Sequence, residues 1–338
     1  MRLDAACRNV FNRHETFAPR YGWPKKAYDS CSKRADLFHS DEGIEQLILD
    51  LAVGKNMVKS IRHWGRAFRI CTEEKRTGSR NRFVSPTAIG ETFFSDDGWD
   101  PYCEHSDTLW LLHWWFLAPG SFAPVWWLAF NEFTGIEFTA DELEQFIGNR
   151  TTDWEPKPSA VTRDVSCLLK MYSSGHALRA TFDDQLDCPF RELDLIRPSG
   201  REPGMFRFNI GPKATLSPAV AAFACLDFVA RTRPTVQTMT LSTLATEPGS
   251  PGQVFKLTEA ALLDLLEAAV AETDEDLKLT SVAGAPQLVV DDSPGLVATD
   301  LICASYKTFV GPKRARVPFG VQLAGVEADH SPQFVPVP

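Results

Sequence analysis

The chain has 338 residues, a formal net charge of −9, and 44% hydrophobic against 23% charged residues. This composition is typical of folded globular proteins and argues against extensive disorder, and the length favours two or three domains. No apolar run reaches the about 18 to 20 residues that a membrane-spanning helix needs, and the start MRLDAACRNVFNRHETF has no continuous apolar core for a signal peptide. The sequence therefore predicts a cytoplasmic protein without membrane contact.

The net charge hides an asymmetry between the two ends of the chain. Residues 1–90 hold 17 lysines and arginines against 10 acidic residues, whereas the other 248 residues hold 18 against 34. The N-terminal part is therefore basic and the remainder is acidic. This indicates that a polyanion would bind the N-terminal part alone, since the remainder would repel it.

The N-terminal arm, VFNRHETFAPRYGWPKKAYDS, interleaves aromatic and basic residues. This mixture can support nucleic-acid contact, which makes Arg20, Lys25 and Lys26 candidate DNA-binding residues. An equally good interpretation is that the aromatic side chains anchor the arm to the next element and the charges are merely solvated.

The next two segments predict a helix, a tight turn and a second helix. Residues 44–53 form an apolar helix with Ser40 and Asp41 as candidate caps, Gly54 supplies the turn, and GKNMVKSIRHWGRAFR follows as residues 54–69. On a helical wheel the second helix has one core face and one basic stripe. This order is typical of a helix-turn-helix whose second helix enters the major groove. The residues assigned to phosphates or base edges are Lys55, Asn56, Lys59, Arg62, Arg66 and Arg69.

A hairpin is predicted directly after this helix. CTEEKRTGSRNRFV places Thr77, Gly78 and Ser79 between two short polar strands. Such a hairpin would be a wing that brings Lys75, Arg76, Arg80 and Arg82 near phosphate, and the alternative is an ordinary basic surface loop. Residues 1–98 are thus predicted to form a basic winged helix-turn-helix domain that binds DNA.

Residues 99–205 are predicted to form a helical middle domain. Residues 99–130 contain six of the nine tryptophans, too densely placed for one amphipathic stripe, so we expect a central helix pair buried on most sides. His113 could be a ligand or base, although a hydrogen-bonded core histidine is the simpler interpretation. An acidic run further on offers carboxylates that could hold Mg²⁺ or Mn²⁺, or could be an acidic surface turn; its candidate ligands are Asp183, Asp184, Asp187 and Glu192.

Residues 206–295 repeat the winged-helix-like order of elements. A helix at 217–231 is followed by a short helix, a strand at 254–257, a helix capped by Thr258, and a hairpin of 277–282 with 287–290. The late helix presents acidic residues, so protein contact or a structural role is expected rather than DNA binding. Residues 296–338 are predicted as a partly disordered extension. The predicted fold class is mainly α with small β-hairpins (α+β).

Several enzyme classes lack their motifs here. The sequence has no GxxxxGK[ST] loop, no GxGxxG after a strand, no GxSxG elbow and no HExxH. The eight cysteines show no CxxC pair or zinc-finger spacing, which predicts free buried thiols. The residues alone therefore support a multidomain protein that binds double-stranded DNA, and they name no nucleophile.

Five blocks of the chain resemble a known family. They are HETFAPRYGWPKK, GKNMVKSIRHW, WDPYCEHSDTLWLLHWWF, DCPFREL and EPGSPGQVFKL, and together they are similar to the SspB component of bacterial single-strand DNA phosphorothioation systems. The resemblance implies a subunit that nicks DNA ahead of sulfur incorporation in anti-phage defence. It also implies a cysteine desulfurase, an ATPase and a reductase-like protein as partners, but no catalytic residue.

Two other functions remain open at this stage. One is a noncatalytic adaptor that recruits the sulfur-transfer enzymes to DNA, and the other is a winged-helix transcription regulator. A homodimer is plausible because paired helix-turn-helices often read two half-sites, although no coiled-coil heptad supports it.

Overall fold

The structure, a computed structural model, describes residues 2–75, 82–173, 188–200, 202–273, 277–289 and 294–310. The helices within these ranges are numbered along the chain. They are α1 Leu3–Ala6, α2 Trp23–Lys33, α3 Asp41–Leu51, α4 Lys55–Ala67, α5 Ala88–Phe94, α6 Ser106–Leu117, α7 Pro124–Asn131, α8 Ala140–Arg150, α9 Pro158–Tyr172, α10 Pro218–Thr232, α11 Leu241–Thr246, α12 Pro251–Phe255, α13 Glu259–Ala271 and α14 Pro294–Val310.

The strands form small antiparallel sheets. β1 Cys71–Lys75 pairs with β2 Arg82–Pro86, and β3 Glu137–Thr139, β4 Ile196–Pro198 and β5 Met205–Phe208 form a sheet in the order β3-β5-β4. β6 Thr238–Thr240, β7 Lys278–Val282 and β8 Ala285–Val289 form another in the order β6-β8-β7. Small hairpins and sheets among many helices confirm the predicted α+β class.

The centre of the protein is the Trp-rich pair, α6 and α7. Every residue from Asp107 to Leu117 is buried, as is every residue of α7. A helix that is apolar on all sides gains stability only when other elements cover each of its faces. The prediction of a central helix pair buried on most sides is therefore confirmed, and the flanking elements are arranged around this pair.

Residues 41–86 follow the predicted order of helix, turn, helix and hairpin. The Ser40 hydroxyl accepts from the Gly43 amide at 3.0 Å, as expected of a helix cap, and Ala52 ends α3 with φ 51°. One prediction here was wrong. α4 ends at Ala67 instead of continuing, and Arg69 has φ 60°, so it leaves the basic stripe. That these elements read DNA as a winged helix stays a prediction.

The C-terminal elements differ from the prediction at one point. The strand expected at 254–257 is wrong, because Pro251–Phe255 is the helix α12 and Lys256 ends it with φ 54°. Pro251 at the first helical turn favours this outcome, since its fixed φ suits a helix start. The predicted hairpin is present as β7 and β8, and β6 joins it as a third strand.

The last described helix, α14, was not predicted. It packs against α10, and Tyr306 is fully buried with its hydroxyl 2.6 Å from the Thr108 hydroxyl of α6. The buried core is continuous from the N-terminal arm to this helix. The domain borders after residues 98, 205 and 295 stay predictions. None of the helices within the described ranges combines the length and apolar character needed to cross a bilayer.

Candidate nucleic-acid interface

The first two turns of α4 carry the predicted DNA-binding residues that are open to solvent. Lys55, Asn56 and Lys59 are exposed, because the core face of the helix is formed by Val58, Ile61 and other apolar residues. Lys59 Nζ lies 3.6 Å from Glu15 Oε1 in the N-terminal arm. The start of α4 therefore presents two ammonium groups and one amide at the surface.

Further along α4, the basic residues meet a single buried carboxylate. Glu73 of β1 has a side chain only 1% exposed, with Arg62 Nη2 at 2.9 Å and Arg66 Nη1 at 2.8 Å. Arg82 of β2 brings Nη1 to 3.4 Å, and His39 Nε2 lies 3.7 Å away. We call Arg62, Arg66, Arg82 and Glu73 the arginine cluster.

The arginine cluster keeps an excess of positive charge. Burial acts to raise the pKa of Glu73, but Arg66 and Arg62 lower it, and the net shift is downward, so the carboxylate is ionised at neutral pH. Three guanidinium groups thus face one carboxylate. The side chains of Arg62, Arg66 and Arg82 are 27%, 25% and 58% exposed, so the excess charge reaches solvent.

An aromatic side chain extends this surface toward the N-terminal arm. The Arg66 guanidinium lies 4.7 Å from the centroid of the Phe122 ring, and Arg8, which is exposed, lies 5.4 Å from it. Cation–π contacts hold a guanidinium over the ring while its edge stays available. Sequence reasoning missed Arg8 and Phe122, since they are distant in sequence from each other and from Arg66, and it missed Glu73, since its burial depends on the packing of β1 against α4.

Arg69 requires a correction, because it faces inward. Its Nε donates to the Trp115 carbonyl at 2.8 Å, and its Nη2 donates to the Ala118 and Pro119 carbonyls at 3.0 and 2.8 Å. The last carbonyls of a helix lack partners within it and attract cations, so Arg69 stabilises the end of α6. Burial lowers its pKa to about 10, which leaves it protonated at neutral pH. We no longer assign it to DNA.

The candidates in the N-terminal arm also have partners within the protein. Lys25 is buried, and its Nζ donates to Asp29 at 2.6 Å and to Asp96 at 2.7 Å. Lys26 Nζ donates to the Leu51 carbonyl at 2.9 Å. Arg20 lies 5.9 Å from the Trp23 ring. These contacts favour the anchoring interpretation of the arm. The wing candidates Arg76 and Arg80 lie outside the described residues.

Three of the four predicted metal ligands lie outside the described part of the chain. Asp183, Asp184 and Asp187 all lie outside it, while Glu192 is exposed and accepts a hydrogen bond from the Tyr21 hydroxyl. Within the described ranges, no group of three or more His, Cys, Asp or Glu side chains is arranged to hold a metal ion. A Mg²⁺ or Mn²⁺ site stays a prediction.

Two buried histidines use both ring nitrogens in internal contacts. His113 Nδ1 lies 2.8 Å from the Tyr172 hydroxyl and Nε2 lies 2.9 Å from the Val254 carbonyl, and burial lowers its pKa to about 4. His14 Nε2 lies 2.6 Å from Asp164 Oδ1, and its Nδ1 accepts from the Thr16 amide. His113 is thus the hydrogen-bonded core histidine of the simpler interpretation, and His14 connects the N-terminal arm to α9.

Comparisons with known proteins agree with the resemblance seen in the sequence. The model of a family described as "Protein of unknown function (DUF4007)" matches residues 11–306. A solved structure described as "SspB crystal structure" is 36% identical with a TM-score of 0.84, covering 93% of this chain and 92% of that one. Another, "Magnesium ion-bound SspB crystal structure", has the same identity and TM-score and covers 92% of each chain. No curated protein matches.

Proposed function

The chain belongs to the family described as protein of unknown function (DUF4007) and is SspB-like, and we propose that it binds duplex DNA and nicks it ahead of sulfur incorporation in a phosphorothioation system. The observation that carries the DNA-binding part is the arginine cluster beside the exposed start of α4. Phosphate contacts of this kind supply most of the sequence-independent affinity of DNA-binding proteins.

The surface suits a phosphate backbone in two ways. Lys55 and Lys59 are exposed point charges, whereas Arg62, Arg66 and Arg82 are planar donors whose orientation Glu73 fixes. Arginine can donate two parallel hydrogen bonds to one phosphate or to a guanine edge, so a held guanidinium binds with less loss of side-chain freedom. Asn56, on the first turn of α4, is the candidate for contact with a base.

The nicking part of the proposal rests on the family. One SspB structure is described as magnesium ion-bound, which supports a divalent cation as cofactor for this chain. Within the described ranges there is no matching ligand cluster. The candidate ligands are those predicted from the sequence, Asp183, Asp184, Asp187 and Glu192, and we assign no catalytic step to them. The proposed partners, a cysteine desulfurase, an ATPase and a reductase-like protein, likewise follow from the resemblance.

DNA binding is tested by changing exposed charges only. Replacing Lys55, Lys59 and Arg82 with alanine together should weaken binding of all duplex sequences alike and reduce the slope of log K against log salt by about 2 to 3, since each lost phosphate contact removes about 0.9. The measurement is fluorescence anisotropy with a labelled duplex over a salt series. A control that removes three other exposed cations, Lys157, Arg163 and Lys170, should keep the slope. Equal slopes in both variants would contradict the proposal.

Nicking is tested separately with supercoiled plasmid. Conversion to open circles should require Mg²⁺ or Mn²⁺, stop with EDTA, and fall in the Lys55, Lys59 and Arg82 variant because the substrate is no longer held. Activity that resists EDTA and does not follow the protein through purification would reject the nicking part. DNA binding would then still stand on the salt series.

A noncatalytic adaptor is the second candidate, and one observation favours it. The helix α13 exposes Glu259, Asp264 and Glu267, which would repel DNA but could contact a basic protein. A chain that binds DNA at one end and a sulfur-transfer enzyme at the other needs no active site. Failure of the plasmid assay together with intact DNA binding would favour this function.

A further inference from the structure

Two cysteines meet in the interior where α2 packs against α4 and β1. Cys31 lies in the last turn of α2, and Cys71 is the first residue of β1. Their sulfur atoms are 2.8 Å apart, although the residues are 40 positions apart in the chain. The two residues are only 3% and 5% exposed. The separation of the sulfurs is shorter than an ordinary non-bonded contact, and it exceeds the disulfide bond length of about 2.05 Å by only about 0.8 Å.

The packing around this pair holds the two sulfur atoms together. Cys31 Sγ donates to the Tyr28 carbonyl at 3.2 Å, and Cys71 Sγ donates to the Ala27 carbonyl at 3.5 Å. Gly65 of α4 permits this close approach, because a Cβ there would lie 2.7 Å from the Ala27 Cβ and 3.5 Å from Cys71 Sγ. The thiols are thus enclosed by three elements, and a small shift of either side chain brings the sulfurs within bonding distance.

The cysteine pair lies just beneath the surface. Residues 32–34, which follow Cys31, and Thr72, which follows Cys71, are exposed. The ends of helices and strands open locally at a low free energy, and such openings admit a molecule as small as hydrogen peroxide. Burial, followed by the hydrogen bond and the charge of Cys31, raises the pKa of Cys71, although Arg66 lowers it in part. The thiols therefore react slowly, and the pair stays reduced until an oxidant accumulates.

We propose that Cys31 and Cys71 form a site of oxidative modification, where a small hydroperoxide joins the two sulfurs in a disulfide that ties α2 to β1. One thiolate attacks a peroxide oxygen and becomes a sulfenic acid, and the other oxygen leaves as water after taking up the proton that the thiol released. The second sulfur then attacks the sulfenic sulfur and expels another water. The thiols lose two electrons and two protons in total, and the peroxide is reduced to two molecules of water.

The bond closes a loop that contains the whole of α3 and α4. A cross-link of this kind removes conformational freedom from the unfolded chain, which stabilises the folded form of the enclosed elements. Alternate residues of a strand share a face, so Glu73 lies on the same face of β1 as Cys71, and the strand that carries the carboxylate of the arginine cluster becomes fixed to α2. The inference rests on the two sulfurs and is independent of the proposed function.

Peptide mapping without a reductant tests the site directly. The full chain is treated with hydrogen peroxide, alkylated and digested with trypsin. The peptides of residues 27–33 and 70–75 should then be found joined, lighter than their summed reduced masses by the hydrogens lost, and dithiothreitol should separate them. Cys71→Ala should abolish the joined species. Cys225→Ala, which removes another buried cysteine in α10, is the matched control and should leave it unchanged.

A thermal melt tests whether the bond ties the two elements together. Oxidation should raise the melting temperature of the natural protein by roughly 3 to 8 °C, and Cys71→Ala treated in the same way should show no rise. Circular dichroism establishes that each variant is folded, and Cys71→Ser replaces Cys71→Ala if the latter is not. Separate oxidation of the two cysteines to sulfinic acids, a disulfide to any other cysteine, or a joined species without a rise in melting temperature would overturn the proposal. These results do not depend on DNA binding or nicking, so their failure leaves the proposed function untouched.

Discussion

Two helices that pack near the Trp-rich pair, α4 and α12, are each followed by a basic residue in the left-handed region of φ. The two basic side chains bind backbone carbonyls of the Trp-rich region through different chemical groups. Arg69 follows α4 with φ 60°, and Lys256 follows α12 with φ 54°. Arg69 donates to three carbonyls at the end of α6, whereas Lys256 Nζ donates to one, that of Phe130 in α7, at 2.5 Å. Burial lowers the pKa of Arg69 to about 10 but that of Lys256 to about 7, the latter with a contribution from Lys213.

The difference between the two pKa values follows from the chemistry of the two side chains. A guanidinium spreads its charge over several donors and stays protonated at neutral pH, while an ammonium with one carbonyl loses its proton readily when buried. The N-terminal connection is thus permanent across ordinary pH, and the C-terminal one titrates near neutrality. The ring centroid of Phe208 lies 4.5 Å from Lys256 Nζ, and this cation–π contact stabilises the ammonium only partly.

Loss of the Arg69 connection should have the largest effect. Arg69→Met removes three charge-assisted hydrogen bonds and leaves buried carbonyls without partners, so the free energy of unfolding should fall by about 4 kcal/mol. Urea denaturation followed by circular dichroism measures it. Arg233→Met, an exposed change, should cost less than about 1 kcal/mol. A similar decrease in the free energy of unfolding in the two variants would show that the internal contacts of Arg69 contribute no more to stability than those of an exposed arginine.

Lys256 should give a smaller effect that depends on pH. The unfolded chain keeps the ordinary lysine pKa of 10.5, so between about 7 and 10.5 it binds more protons than the folded protein does. The penalty for the buried charge is present below pH 7 and is relieved as pH rises through the folded pKa. Relative to Lys256→Met, the natural protein should gain up to about 2 kcal/mol between pH 6.5 and 8.5. Thermal melts of both proteins over this range would reject the expectation if their difference stayed constant.

The arginine cluster should also lose stability as pH falls, but over an acidic range. Glu73→Gln leaves three guanidinium groups without their carboxylate, but these are partly hydrated, so the expected loss is about 1 to 2 kcal/mol at pH 7. Because the folded pKa of Glu73 lies below its ordinary value of 4.5, its stabilisation is full above pH 4.5 and is lost as pH falls through the folded value. Denaturation curves of the two proteins should converge in acid, and a constant gap would contradict this.

The acidic face of α13 should matter least. Glu259→Gln, Asp264→Asn and Glu267→Gln together change exposed side chains, so stability should move by no more than about 0.5 kcal/mol. DNA affinity and its salt slope should remain those of the natural protein, because this face takes no part in the proposed DNA contact. A changed salt slope in anisotropy measurements would show that the two ends of the chain act on DNA together.

The sequence was a good guide wherever local signals agree. The helix expected at 217–231 is Pro218–Thr232, and the helix capped by Thr258 begins at Glu259, because capping residues and apolar content are local properties. The strand expected at 254–257 failed because a run of four mainly apolar residues fits a strand or a buried helix end equally well. Its surroundings, rather than its composition, decide between them.

The site was harder to predict than the fold. A helical wheel places Arg69 on the basic stripe only if the helix continues, and the residue that ends a helix in the left-handed region is usually glycine, so an arginine there gives no warning. The burial of Glu73 was equally difficult to predict, since nothing in the sequence CTEEK distinguishes a buried carboxylate from an exposed one. The exposed residues Lys55, Asn56 and Lys59 were predictable because they depend on α4 alone.

The contact between His14 and Asp164 has a consequence for how the chain is made. Its partners are 150 residues apart, and Ser60 of α4 donates to the carbonyl of the same histidine. The elements proposed to bind DNA are synthesised first, yet their support cannot be completed until α9 has left the ribosome. Contacts so distant in sequence close slowly, so we expect the N-terminal arm and α4 to reach their final packing only after α9 has been synthesised.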